Sequence, residues 1–238
     1  MQLSKPVKIV LAGWSAFAGT HLAMSHPPIR EKLIELSGSE FNYRLGYSAV
    51  AATTASLAAL AYFRIPSAMR GPVINTWMKS SRVRVASGAL RSIGTILAVD
   101  AFVNPIPNPM GMLGLKSDDP TDLRKLQRKY QVYGLQRLTR HSEFLGYSMI
   151  ALGQALVSKR LAPMVFWGIF PIFSVAGALH QEYRHRKTKP AHYFEETSFL
   201  PFGAMLSGHQ SFTRMLVEIP PSAYAAGFCI AGLIFLWP

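Results

Sequence analysis

Apolar residues in this chain fall into six runs separated by polar and basic segments, and these runs restrict the fold more than any other feature. Half of the 238 residues are hydrophobic and only 16% are charged, a balance that one soluble core seldom needs. A helix that crosses the hydrocarbon of a bilayer takes about 20 mostly apolar residues. We therefore predict an all-α polytopic membrane bundle of about six transmembrane helices, forming a single domain over residues 1–238. The runs are residues 9–24, 45–63, 85–103, 144–157, 164–179 and 223–237.

Two of these runs depart from a simple span. The fourth is short, and its Gly146 and Gly153 suit close helix packing inside a bundle better than exposure to lipid. The third contains Arg91 and Asp100, nine residues apart, which places them on opposite faces of a helix. We expect each to extend toward the nearer membrane surface in a structural role; a polar pathway through the membrane is the alternative.

The strong positive charge favours particular partners. The formal net charge is +13, and in so apolar a chain it favours anionic lipid headgroups and acidic neighbouring subunits over nucleic acid. Cys229 is the single cysteine, which excludes an intrachain disulfide and a cysteine-based metal site. The first run is interpreted as a retained helix, because residues 20–25 form a poor signal-peptide cleavage site.

Basic residues concentrate in two further places. After a proline-rich loop at residues 104–114, Asp118 and Pro120 predict the start of a basic amphipathic helix that lies on the surface. A second basic group ends the fifth run, where cations complement the helix dipole and can contact headgroup phosphates. The predicted lipid or partner contacts are Arg124, Lys125, Arg128, Lys129, Arg184, Arg186 and Lys187.

No segment carries a recognisable catalytic arrangement. His180, Glu182, His185 and His192 are close in sequence, but they do not form a metal-binding motif, because His180 and Glu182 point apart on a helix. Neither a nucleophile–histidine–acid order nor a phosphate-binding or dinucleotide-binding loop is present. We therefore predict no catalytic residue and no metal site.

Five segments that run in order through most of the chain carry a resemblance to a known family: residues 21–33, 39–45, 138–141, 177–187 and 197–208. Together they resemble the NnrU family of membrane proteins, which is related to a haem-b-dependent zeta-carotene isomerase. The resemblance implies a polytopic helical fold and haem b as a cofactor. This chain departs from the family pattern where Ser142 replaces a proline and Gln154 replaces a histidine. An amide is a poor ligand for haem iron, so ligation through position 154 is lost.

Two other histidines could take over such a site. In an up-and-down bundle the first span ends on the side where the fourth begins, so His21 and His141 lie near one membrane face, and Gln154 lies about 20 Å deeper. His21 alone, or His21 with His141, is the candidate cofactor-binding set. The alternative is a hydrogen-bonded packing role for His21 and an interfacial anchor for His141.

Two functions follow from these observations. The first is a non-catalytic accessory or structural subunit of a larger organellar membrane complex, such as a respiratory-chain assembly, without a cofactor. The mitochondrial inner membrane is favoured over a plastid or bacterial membrane. The second is a haem-b-dependent isomerase or redox protein. Gln154 and the absence of another reactive group favour the first.

Overall fold

The computed structural model describes residues 4–74, 80–103 and 132–236, and every regular element in these ranges is helical. Short 3-10 turns occupy Ser67–Met69 and Gly134–Arg137. The helices are α1 (Lys5–Ser25), α2 (Pro27–Ser37), α3 (Glu40–Phe63), α4 (Ser81–Val103), α5 (Ser142–Leu156), α6 (Leu161–Thr188), α7 (Ala191–Glu196), α8 (Gly203–Leu206), α9 (Phe212–Glu218) and α10 (Pro221–Leu236). The all-α prediction is therefore confirmed for the described residues.

Each of the six apolar runs overlaps a helix, but fewer than six helices have the length and hydropathy of a membrane span. Among the described residues three do: α1, α3 and residues Leu161–Lys187 of α6. The α9–α10 pair adds a fourth if a helix pair bent by 85° counts as one span. The six-span count is not confirmed, since α5 has only 15 residues and α4 contains Arg91 and Asp100.

The chain divides into two compact units, and the divisions fall inside α4, α5 and α6. Unit 1 comprises Met1–Leu90 and Ala151–Gly177. Unit 2 comprises Arg91–Ile150 and Ala178–Pro238.

The core of unit 1 is aromatic. Trp14 of α1 donates its indole N–H to the carbonyl of Phe166 at 3.0 Å, and the ring of Tyr62 stacks on Phe166 with centroids 4.3 Å apart. Helices α1 and α3 pack so closely that a Cβ added at Gly13 would lie 2.9 Å from the Cβ of Ala58. The start of α3 is fixed by Ser39, whose side chain accepts a hydrogen bond from the Asn42 amide. Helix packing and aromatic contact therefore hold this unit together.

Unit 2 contains a backbone-to-backbone helix contact. A Cβ added at Gly94 of α4 would lie 2.7 Å from the carbonyl oxygen of Gly146 on α5, and one added at Gly146 would lie 2.8 Å from the Ala98 nitrogen. The predicted role of Gly146 in close packing is thus confirmed. Buried apolar side chains complete this core: Leu97, Leu135, Leu138, Met215, Ile219 and Ala223.

Asp100 does not reach solvent, contrary to the expectation from the sequence. It is 1% exposed, and its Oδ2 accepts a hydrogen bond from the Leu135 amide at 3.0 Å. Burial is tolerated because the carboxylate has this donor. The structural role is supported, whereas extension toward the membrane surface is wrong for this residue.

Candidate functional site

The Arg140–His141 pair lies in the segment that leads into α5, and main-chain contacts hold this segment in place. The Arg140 amide donates to the Ser198 carbonyl at 2.9 Å. The Thr139 hydroxyl donates to the Phe199 carbonyl at 2.8 Å, and the Phe202 amide donates to the Leu138 carbonyl at 2.9 Å. The segment is therefore fixed against residues 198–202.

Arg140 is buried within an ion-pair network. Its Nη1 donates to Glu182 Oε1 at 2.9 Å and its Nη2 donates to the Thr197 carbonyl at 2.7 Å. The Arg140 side chain is 6% exposed and that of Glu182 is 12% exposed. Arg186, one helical turn after Glu182, also lies 3.0 Å from Glu182 Oε1. One carboxylate thus pairs with the buried guanidinium of Arg140 and with the exposed guanidinium of Arg186, and it compensates the charge that is buried.

Both ring nitrogens of His141 face oxygen atoms of α6. Nδ1 lies 3.0 Å from Gln181 Oε1, and Nε2 lies 3.4 Å from Glu182 Oε2. Burial lowers the pKa of His141, and the hydrogen bonds with Glu182 and Gln181 oppose that shift. In the neutral ring Nε2–H donates to the carboxylate, which can only accept, so Nδ1 is an acceptor that the Gln181 NH₂ would satisfy if the amide were turned by 180°. His141 thereby ties the start of α5 to α6.

Three further titratable groups of unit 2 have pKa values shifted mainly by burial. Burial lowers the pKa of Lys189 to about 8, and the carboxylate of Glu143 opposes this shift. Burial raises the pKa of Tyr193 to about 12 and raises that of Glu143 above its ordinary value. Charges here are poorly solvated, so each is sensitive to the loss of a partner.

A second ion pair holds the earlier part of the same segment. Arg137 donates through Nε to Glu218 Oε2 at 2.7 Å and through Nη2 to Glu218 Oε1 at 2.8 Å. The amide of Gly134 also donates to Glu218 Oε2, at 2.8 Å. Such two-point contact is the strong geometry for an arginine–carboxylate pair. The sequence-based reasoning missed this pair, because 81 positions separate its members.

His21 has a different environment, in unit 1. Its Nε2 lies 2.7 Å from the Tyr47 hydroxyl, and its ring contacts Phe17 and Phe173 with centroids 5.3 and 5.6 Å away. The ring also lies 4.9 Å from that of Tyr47. These neighbours are aromatic and uncharged, as expected for a packed histidine with a hydroxyl partner.

Gln154 lies on α5 and is half-buried. Its main-chain carbonyl accepts a hydrogen bond from the Ser158 hydroxyl at 2.8 Å. The structure assigns His21 and Gln154 to unit 1 and His141 to unit 2.

As the side chains stand, haem iron at His141 or at Nε2 of His21 would have to displace a hydrogen-bond partner. Iron bound to His141 would displace Gln181 or Glu182 from a ring nitrogen, and iron at Nε2 of His21 would displace Tyr47. Neither the concavity beside Arg140 nor the one beside Arg70 is lined by a histidine. The haem-binding role of His21 and His141 stays a prediction.

The predicted basic contacts fall into two groups. Arg184, Arg186 and Lys187 occupy the last turns of α6, so this helix has the predicted cationic end, while its contact with lipid or a partner stays a prediction. Residues Arg124, Lys125, Arg128 and Lys129 lie outside the described residues, as do the predicted proline-rich loop and surface helix. Across residues 4–74, 80–103 and 132–236, no three His, Cys, Asp or Glu side chains come together to hold a metal ion.

Comparison with known proteins identifies a family. A family model described as NnrU protein matches residues 9–237, a stretch that includes both candidate histidines. No curated protein and no solved structure matches the chain.

Proposed function

The chain belongs to the NnrU family, and on that premise we propose that it is a non-catalytic accessory subunit of a larger membrane complex. Its apolar helices are those of a membrane protein. The proposal concerns its role there: to occupy a place in an assembly rather than to transform a substrate.

The environment of His141 is the observation that supports this role. In a catalytic or ligand-binding site, we expect a ring nitrogen directed into a cavity that a substrate or cofactor can enter. His141 is instead 4% exposed and contacts Gln181 and Glu182 through its two nitrogens. The residue therefore contributes to the attachment of α5 to α6. Gln154 adds no iron ligand.

We further propose an organellar assembly such as a respiratory-chain complex, in the mitochondrial inner membrane. The net charge of +13 and the basic end of α6 support contact with anionic lipids and acidic neighbouring subunits. Cell fractionation tests the membrane, and blue-native electrophoresis of mildly solubilised membranes tests the assembly. Migration at the mass of the isolated chain would contradict accessory membership.

The visible spectrum of the purified full chain tests the absence of a cofactor. We expect a preparation in mild detergent to show no stoichiometric Soret band, and His21→Ala and His141→Ala variants to have the same spectrum. A stoichiometric band that is lost in His21→Ala would overturn the proposal and support the alternative, a haem-b-dependent isomerase or redox protein. Addition of haem b to the purified chain, followed by gel filtration, controls for loss of haem during purification.

A further inference from the structure

A concavity in unit 1 gathers three basic side chains. Its volume is about 410 Å³. It lies where the segment after α3 meets the start of α6. The lining residues are Ser67, Ala68, Arg70, Lys159, Arg160 and Pro163.

Main-chain hydrogen bonds fix the walls of this concavity. The Ala162 amide donates to the Arg70 carbonyl at 3.2 Å, and the Leu161 amide donates to the Pro72 carbonyl at 3.1 Å. The Ile74 amide in turn donates to the Lys159 carbonyl at 3.2 Å. Residues 70–74 therefore run along residues 159–162 as a fixed pair of segments. Such a preformed arrangement lowers the entropy cost of binding.

The basic groups are held by neutral partners. Arg70 donates through Nε to the Ile65 carbonyl at 3.0 Å, and its guanidinium lies 4.7 Å from the centre of the Tyr62 ring. Arg160 donates to the Gly71 carbonyl at 2.7 Å. In the described part of the chain, no carboxylate forms an ion pair with Arg70, Lys159 or Arg160. Three positive charges thus share one concavity without a carboxylate partner among the described residues.

A second basic concavity, in unit 2, differs because an acidic side chain also lines it. It has a volume of about 530 Å³ and is lined by Arg140, Arg186 and Lys189, but Glu195 also lines it. Glu182 already pairs with Arg140 and Arg186. An anion there would compete with carboxylates of the protein. The concavity of unit 1 has no such competitor among its lining residues.

The position of the unit 1 concavity suits a membrane surface. Helix α3 ends at Phe63, and α6 begins at Leu161; both are candidate spans. The ends of spans lie at the depth of the lipid headgroups, where basic side chains attract anionic lipids. Arg160 and Pro163 also flank the start of α6, the end of a helix that carries positive partial charge.

We propose that the concavity formed by Arg70, Lys159 and Arg160 binds a phosphate group, carried by an anionic phospholipid or by inorganic phosphate. Guanidinium and ammonium groups are the usual protein partners of phosphate oxygens. The proposal does not depend on whether the chain is catalytic. If the purified protein carried haem and still bound phosphate in this concavity, the result would contradict the accessory role but not the phosphate site.

Binding of dioctanoyl phosphatidic acid to the full chain in an uncharged detergent tests the proposal by calorimetry. We expect Lys159→Gln and Arg160→Gln each to weaken binding about fivefold, the effect of one basic residue near an anionic headgroup. Arg64→Gln removes an equal charge from the exposed residue after α3, which does not line the concavity. We expect it to change the affinity less than twofold.

Competition between inorganic phosphate and dioctanoyl phosphatidic acid distinguishes the two possible sources of the phosphate group. If inorganic phosphate displaces dioctanoyl phosphatidic acid at similar concentration, the site recognises the phosphate alone; if it does not, the lipid is the ligand. Equal weakening by Lys159→Gln, Arg160→Gln and Arg64→Gln would overturn the proposal, because a diffuse positive surface would then explain binding. Equal affinity for dioctanoyl phosphatidylcholine would also overturn it. Far-UV circular dichroism verifies that each variant is folded.

Discussion

His21 and His141 are two histidines in one chain with opposite kinds of surroundings. In unit 1, His21 meets a tyrosine hydroxyl and aromatic rings. In unit 2, His141 meets an amide and a carboxylate that also binds arginine. A neutral hydrogen bond is weaker than one that involves an ion. The same residue type is therefore held by packing in one unit and by a charge network in the other.

Because of this difference, we expect the loss of a hydrogen-bond or ion-pair partner to destabilise the two units to different extents. Loss of a partner at His21 leaves one neutral polar atom without a hydrogen bond. Loss of Glu182 would leave the buried Arg140 guanidinium without its counter-ion, and an uncompensated buried charge is far more costly. Four changes test this comparison.

The largest effect is expected from Glu182→Gln. Removal of the carboxylate that neutralises Arg140 should lower the free energy of unfolding by about 3 kcal/mol. Unfolding by sodium dodecyl sulfate in mixed micelles, followed by circular dichroism, measures the change. Glu195→Gln is the matched control, because Glu195 is exposed. Similar stability of the two variants would show that the network does not hold unit 2 together.

Tyr47→Phe tests the uncharged surroundings of His21. It removes the hydroxyl that lies 2.7 Å from His21 Nε2 while it keeps the ring, so we expect a loss of about 1 kcal/mol. The same unfolding assay measures it. The control is Tyr147→Phe, at a tyrosine that is 36% exposed. A loss equal to that of Glu182→Gln would remove the energetic distinction between the two histidines.

A solvent-exposed ion pair of unit 1 is expected to contribute less to stability than either histidine environment. Arg44 pairs with Glu40 at 2.9 Å on the first turn of α3, and their side chains are 43% and 40% exposed. Exposed pairs at this spacing contribute about 0.3 kcal/mol, so Arg44→Gln should scarcely change the unfolding transition. A loss above that of Tyr47→Phe would mean that charge matters in unit 1 as well.

The smallest expected effect is that of His141 on the free energy of unfolding, and it is confined to acidic pH. Burial holds the pKa of His141 in the folded chain below its ordinary value of 6.5. The unfolded chain then binds a proton that the folded chain does not, so stability contributed by neutral His141 is present above pH 6.5 and is lost as the pH falls through the folded pKa. His141→Gln should show less loss of stability than the unaltered chain as the pH falls below 6.5. Identical pH profiles would assign the acid sensitivity to other groups.

The helices were predictable from local patterns, whereas the number of spans was not. Long apolar runs identified α1, α3 and α6, because a membrane helix is encoded by neighbouring residues. Helix α2 was missed, since its mixed sequence, with Arg30, Glu31 and Lys32, has no apolar run. The expected number of crossings exceeded the confirmed number, because α4 and α5 are apolar enough to be helices without being long or uncharged enough to qualify as spans.

The candidate site was predicted in part. Arg140 and His141 were identified from their position at the end of an apolar run, but their contacts with Gln181 and Glu182 depend on residues about 40 positions away. One signal was available: Glu182 is the single acid among the basic residues that end α6. An isolated carboxylate in such a cluster indicates an ion pair within the fold.

The contacts of the two histidines also differ in when they can form. Tyr47 follows His21 by 26 residues, so their hydrogen bond can form once α3 has been synthesised. The contacts that fix Thr139 and Arg140 reach 60 and 57 residues ahead, and they cannot form until α6 and α7 exist. Because synthesis proceeds from the N-terminus at about 5–20 residues per second, the arginine–histidine segment waits several seconds for its partners. Until Glu182, 42 residues ahead of Arg140, has been synthesised, the positive charge of Arg140 lacks this counter-ion.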